Sequence, residues 1–213
     1  MSRSFRTSRD LLDYLQIQGD LASFPAEKEF PTLVTRHYAS LMEKGNPKDP
    51  LLRQVLAQKA EETHVEGFSL DPVGDSKAVQ DPGILQKYQG RVLVLPTGAC
   101  AIHCRHCFRR GFPYEDIHTK SLLPRLRSFL KEHREIGEVI LSGGDPLMLD
   151  DGTLAEILWI VEEASQVTRI RLHTRLPVVL PNRFTQELLR IFTDHKVIFD
   201  DLFTRRQDHY GYR

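Results

Sequence analysis

Two rhythms of apolar and polar positions divide the chain. From about residue 90, short apolar runs alternate with segments whose apolar residues recur every three or four positions. Residues 92–95 form a compact run closed by Pro96 and Gly98, as expected of a strand buried on both faces. Leu122, Leu123, Leu126, Phe129 and Leu130 then fall on one helical face. A second run at residues 139–141 ends in Ser142-Gly143-Gly144. Thr153 with Glu156 makes a capping-box pattern ahead of Ile157, Leu158 and Val161. Ile170 and Leu172 read as a third strand, and Phe184, Leu188, Leu189 and Phe192 as the helix after it. Three strand–helix units in succession predict an α/β fold with a parallel sheet and right-handed crossovers.

Before residue 85 the pattern is helical and connective. Leu11, Leu12 and Leu15 follow a candidate cap at Ser8, and Val34, Tyr38, Leu41 and Met42 recur at helical spacing. Gly45 and Pro47 supply a stop, and Leu51, Leu52, Val55 and Leu56 predict one more short helix. Residues 67–83 are rich in Pro, Gly and Asp and read as a long excursion that marks the best boundary. The expected organisation is an N-terminal helical extension over 1–85, a core over 86–195 and an atypical tail over 196–213.

Composition narrows the class. With 213 residues, 40% hydrophobic and 27% charged, the chain suits one globular domain rather than wholesale disorder. Its 29 basic and 29 acidic residues cancel, so no global field draws it to nucleic acid or to an acidic membrane surface. The polar N-terminus has no apolar signal region, and no stretch approaches the roughly 20 apolar residues a bilayer needs. A cytoplasmic protein without membrane or nucleic-acid partners is expected. The three cysteines fall within residues 100–107, an odd number too closely spaced for a disulfide framework. That points to metal chemistry in a reducing compartment.

In parallel α/β folds the loops at the carboxyl ends of the strands face one crevice, and the three distinctive motifs sit in those loops. Cys100, Cys104 and Cys107 have the spacing C-x3-C-x2-C, which lets one loop place three thiolates on one cubane cluster and leave the fourth iron open. That iron can chelate S-adenosylmethionine, whose sulfonium accepts an electron and cleaves to a 5′-deoxyadenosyl radical. Soft thiolates with His103 or His106 would also suit a structural zinc site. The basic run Arg105, His106, Arg109 and Arg110 is a third reading, as a nucleic-acid contact, although aromatic residues are scarcely interleaved with it. In the second loop, Gly143 and Gly144 let backbone approach a ligand closely, and Asp145 could pair with an ammonium group. Gly143-Gly144-Asp145-Pro146 is also a common turn. In the third loop Arg175 offers a fork for a carboxylate, or is simply a surface arginine.

Taken together, CRHCFRR, SGGDPLM and HTRLPVVLP, in this order and spacing, resemble the lysine 2,3-aminomutase branch of the radical-SAM superfamily. EKGNPKDPLLRQVL at residues 43–56 and Phe108 resemble, within that branch, the proteins that serve β-lysylation of elongation factor P. The resemblance runs from about residue 40 to residue 190. It implies a TIM-like radical-SAM β/α barrel, a 4Fe–4S cluster on Cys100, Cys104 and Cys107, S-adenosylmethionine, and pyridoxal 5′-phosphate. It further implies that His106 flanks the adenine, that Gly143, Gly144, Asp145 and Arg175 hold the S-adenosylmethionine, and that Arg109 binds the carboxylate of the substrate L-lysine. Tyr88 and Arg91 would contact pyridoxal phosphate, whereas Lys87 stands where a second phosphate-contacting arginine is usual. The implied reaction is migration of the α-amino group of L-lysine to carbon 3. A ligase would then attach the β-lysine to elongation factor P, and a flavodoxin or ferredoxin would supply the electron.

The family's barrel has six β/α units, and this sequence supplies three before its character changes after Thr193. The pyridoxal-binding lysine and the acidic residues for the distal amine belong to the other half, so Lys120, Lys131 and Lys196 are not assigned that role. The expectation is a partial barrel in a truncated or frame-altered chain, with an exposed parallel edge that favours aggregation. An inactive cluster-binding fragment and a zinc-binding module are the alternatives to a working aminomutase.

Overall fold

A computed structural model describes residues 4–195 and the backbone of residues 198–200. The chain forms two compact units, one of Met1–Lys77 with Cys100–Pro113 and one of Ala78–Ala99 with Tyr114–Arg213.

The first unit is built from short helices: α1 (Ser8–Tyr14), α2 (Phe24–Glu29) and α3 (Arg36–Ser40). Each starts where a hydroxyl takes an orphan amide, Thr7 from Asp10, Ser23 from Ala26 and Thr35 from Tyr38. The cap of α1 is therefore Thr7. Ser8 is the first helical residue, buried, with its hydroxyl 2.9 Å from that of Thr32. Leu11, Leu15, Val34, Tyr38, Leu52 and Val55 form the core. The helix expected at residues 51–56 is only a 3-10 turn over Leu52–Gln54. The buried Asp49 carboxylate accepts the amides of Leu51 and Leu52 at 2.8 and 2.9 Å and closes that turn instead.

The second unit is a six-stranded sheet in sequence order, with four parallel strands and an antiparallel hairpin at one edge. The hairpin strands are β1 (Val79–Asp81) and β2 (Ile84–Tyr88), followed by β3 (Arg91–Val94), α4 (Thr119–Glu132) and β4 (Glu138–Leu141). Next come α5 (Asp151–Glu163), β5 (Arg169–His173), the short α6 (Leu176–Val179), α7 (Gln186–Asp194) and β6 (Ile198–Asp200). The region read from sequence as an excursion ends in this hairpin. Its signals were present as two two-residue loops, Pro82-Gly83 between paired Asp81 and Ile84, and Gln89-Gly90 between paired Tyr88 and Arg91. Both glycines have positive φ, as such turns require.

β3 and β5 are less enclosed than a strand buried on both faces, whereas β4 is buried at all four positions. Residues on β3 alternate, with Val92 and Val94 buried, Arg91 exposed and Leu93 half-buried; β5 alternates likewise. Val92, Val94, Val139, Leu141, Ile170 and Leu172 form the buried set, and the unit's helices bury matching stripes such as Leu122, Leu126 and Leu130. The α5 cap is Asp150, not Thr153, because the helix begins one turn earlier; Asp150 accepts the Thr153 amide at 2.8 Å. That bond holds the exposed Asp150 carboxyl below its ordinary range. Asp150→Ala is expected to lower the midpoint of thermal unfolding and Asp150→Asn to recover most of the loss; identical midpoints for all three chains would dismiss the cap.

Three complete β/α units are present, and β6 adds a fourth parallel strand against β5. It falls at the start of the segment read as an atypical tail, the rest of which lies outside the described residues. No described helix is long and apolar enough to cross a membrane.

Candidate functional site

In the first unit, residues 100–113 carry the cysteine loop. None of its three cysteines is disulfide-bonded, all are half-buried, and the Cys107 amide donates to the Cys104 carbonyl at 2.9 Å. The loop is pinned between its second and third thiols and just before its second. The His103 amide donates to Leu33 O at 2.9 Å, its Nδ1 lies 2.7 Å from Pro31 O, and its ring stacks on Phe30 at 4.8 Å between centroids. Burial and the nearby arginine charges lower the His103 pKa against the partly opposing Pro31 contact. Arg105 is more deeply held, with a side chain only 7% exposed. Its Nε reaches both Glu61 oxygens at 3.0 and 3.1 Å, its Nη2 reaches Glu61 Oε2 at 2.5 Å and Ala26 O at 3.2 Å, and its Nη1 donates to Phe30 O.

Arg110 adds a bond to the same Glu61 carboxylate at 2.8 Å. Burial pushes that carboxyl up, but the donors from Arg105, the Gln58 amide and Arg110 together bring it below the ordinary glutamate range. Arg109, expected at a substrate carboxylate, has Nε 2.6 Å from buried Asp75 and lies over the Phe108 ring at 4.6 Å. The basic run is thus engaged by carboxylates at Arg105, Arg109 and Arg110. His106 is exposed.

Three thiols on one loop are the donor set of a cluster with one open iron, and their chemistry fits it. Among the described residues no three His, Cys, Asp or Glu side chains are grouped to hold a metal ion.

In the second unit the glycine turn follows β4. The Gly144 amide donates to Thr97 O at 2.9 Å and the Asp145 amide to Ala99 O at 2.8 Å, which ties the turn to the segment leading directly into Cys100. A Cβ on Gly144 would lie 2.3 Å from Ala99 O, and one on Gly143, where φ is +110°, would lie 2.8 Å from Thr97 O. The close approach that glycine permits here is to the chain's own backbone.

Asp145 is buried, and its carboxylate accepts from Thr174 Oγ1 at 2.8 and 2.9 Å, from the Arg175 amide at 2.9 Å and from the Leu147 amide at 3.1 Å. Desolvation outweighs these donors and raises its pKa. Asp145 therefore joins the loop after β4 to the loop after β5. Arg175 stands at the N-cap of α6 and is half-buried.

Tyr88 and Arg91 are placed together but away from this turn. They are register partners, with the Arg91 guanidinium 5.7 Å from the Tyr88 ring centroid and 3.5 Å from Glu138. Arg91 begins β3 as Glu138 begins β4 and Arg169 begins β5, so this group lies at the amino ends of the parallel strands. The glycine turn and Arg175 lie at the opposite, carboxyl ends.

A protein-family model described as the Radical SAM superfamily matches residues 94–200, half of the chain. The chain belongs to the radical SAM superfamily. It is 43% identical over 187 residues to the L-lysine 2,3-aminomutase of Escherichia coli (strain K12), covering 86% of this chain and 54% of that protein. The L-lysine 2,3-aminomutase of Haemophilus influenzae is 42% identical over 176 residues, covering 82% and 52% respectively. That of Clostridium subterminale is 30% identical over 174 residues, covering 81% and 42%. This radical SAM chain thus spans about half the length of the curated relatives it matches.

Sequence reasoning missed the partners that hold these motifs in place. Glu61 was visible only as the fourth residue of Gln58-Lys-Ala-Glu61, where its carboxylate also takes the Gln58 amide at 2.9 Å. Asp75 lies in the segment read as an excursion, and Thr174 stands unassigned between His173 and Arg175. Nothing in their local spacing marks Asp75 or Thr174.

Proposed function

We propose that this chain carries the cluster- and S-adenosylmethionine-binding half of an L-lysine 2,3-aminomutase, the activity named for the relatives it matches. One observation carries the reading. The glycine turn after β4 is bonded through its backbone to Thr97 and Ala99, the residues that deliver the three-cysteine loop. In this reading Cys100, Cys104 and Cys107 hold a 4Fe–4S cluster, which when bound supplies the electron that cleaves S-adenosylmethionine. Gly143 and Gly144 keep the turn close to the root of that loop, Asp145 fixes its conformation, and Arg175 offers its fork to the cofactor carboxylate. His106, exposed beside Cys107, flanks the adenine.

Arg109 is assigned to the lysine carboxylate, which requires it to exchange or share its Asp75 partner. Tyr88 and Arg91 keep their assignment to pyridoxal phosphate only if that group reaches the amino ends of the strands. The substrate is L-lysine and the product β-lysine for elongation factor P, with a ligase and a flavodoxin or ferredoxin as partners in the cytoplasm. We divide the chain functionally into a helical extension over 1–85, a core over 86–195 and a tail from 196.

Anaerobic reconstitution with iron and sulfide tests the proposal. The chain is expected to gain the broad visible absorbance of a cluster, to cleave S-adenosylmethionine to 5′-deoxyadenosine when reduced, and to lose both in Cys104→Ala. Production of β-lysine from L-lysine with pyridoxal phosphate separates a whole aminomutase from a cluster-binding half. Zinc without iron or sulfide in anaerobically purified protein would refute the cluster.

A further inference from the structure

We infer that Arg105 is the positioning residue of the cysteine loop, holding the backbone between Cys104 and Cys107 in place through Glu61 before any cluster is bound. The inference rests on the assignment of the cluster to these thiols and deepens it.

The geometry is that of an anchor. The Arg105 guanidinium is almost fully buried, and burying it is tolerable only when its donors are met. Here Nε and Nη2 fork onto Glu61, Nη2 also reaches Ala26 O, and Nη1 reaches Phe30 O. The same residue's amide donates to Gln54 O at 2.7 Å. Its guanidinium also lies over the Phe30 ring, 5.1 Å from the centroid. Side chain and backbone of one residue thus engage three separate stretches of the N-terminal helices, around residues 26–30, 54 and 61. His103, two positions earlier, grips the same region at Pro31 and Leu33.

A loop carrying three thiols within eight residues would otherwise lose its conformational freedom on closing around a cluster. With Arg105 seated, much of that ordering occurs when the chain folds, so less of it opposes cluster binding. Lysine has no planar fork and can satisfy only part of this arrangement.

The full chain and its Arg105→Met, Arg105→Lys and Glu61→Gln forms are reconstituted anaerobically with iron and sulfide. Iron release to a chelator is then timed well below each unfolding transition. Arg105→Met is expected to release iron roughly tenfold to a hundredfold faster, the range usual for groups that orient metal ligands. Arg105→Lys should fall between it and the unsubstituted chain, and Glu61→Gln should shift in the same direction. A lowered melting temperature with iron release at the unsubstituted rate overturns the inference, because a merely structural residue behaves that way. Should Arg105→Met fail to fold, Glu61→Gln decides by the same criterion. An unsubstituted chain that takes up no cluster overturns both the cluster assignment and this inference, whereas equal release rates from loaded chains overturn the inference alone.

Discussion

Gly144→Ala is expected to destabilise the sheet-bearing unit by about 3 kcal/mol or more, read as a fall in the urea midpoint. The methyl group would sit 2.3 Å from Ala99 O and within 2.7 Å of Gly98 backbone atoms, and neither side of that contact is a flexible side chain. Relief requires the turn to part from residues 97–99. That would break the bonds from the Gly144 and Asp145 amides and displace the entry to the cysteine loop. Cluster retention and S-adenosylmethionine cleavage should therefore fall with stability. Gly137→Ala is the matched control: its added Cβ meets nothing closer than 3.8 Å, and its effect should stay within about 0.5 kcal/mol. If the two variants unfold together, the close approach after β4 does not exist in solution.

Asp145→Ala should cost about 3–5 kcal/mol. It leaves the Thr174 hydroxyl and the Arg175 and Leu147 amides without their acceptor, and a buried unmet donor typically costs about 1–3 kcal/mol. Asp145→Asn keeps one acceptor oxygen and should cost less. The two side chains also differ in pH dependence. Burial raises the folded-state pKa of Asp145, so the contribution of this group to stability is complete below the ordinary aspartate range. It is lost as pH rises through the raised value, because the unfolded chain's carboxyl ionises first. The stability of the unsubstituted chain relative to Asp145→Asn should therefore decline as pH climbs from about 4. Denaturation midpoints across that range provide the measurement, and a flat difference would mean that the donors cancel the burial.

Both predictions concern contacts between loops, which sequence patterns do not encode. The strands around residues 92–94 and 139–141 were legible as short continuous apolar runs, that around 170–172 because apolar Ile170 and Leu172 flank Arg171, and α4 because Leu122, Leu126 and Leu130 share one stripe. The cysteine spacing was legible because three thiols within eight residues leave few other uses. Two caps were misplaced by one to three residues, at Ser8 for Thr7 and at Thr153 for Asp150, since several hydroxyl and carboxyl side chains compete near each helix start. The hairpin before β3 was overlooked because Pro and Gly read equally well as an irregular connection and as a tight turn.

By itself, then, the sequence determined the alternation of strands and helices, the parallel order that follows from it, and the chemistry of the donors, because those depend on residue type and short-range period. Only the tertiary structure decided what each polar side chain faces. Arg105 meets Glu61 across 44 residues, Arg109 meets Asp75 across 34, and Asp145 meets Thr174 across 29. A charge or hydroxyl can be satisfied by any complementary group the folded backbone brings within about 3 Å, so its partner is fixed by packing and not by its neighbours in the chain.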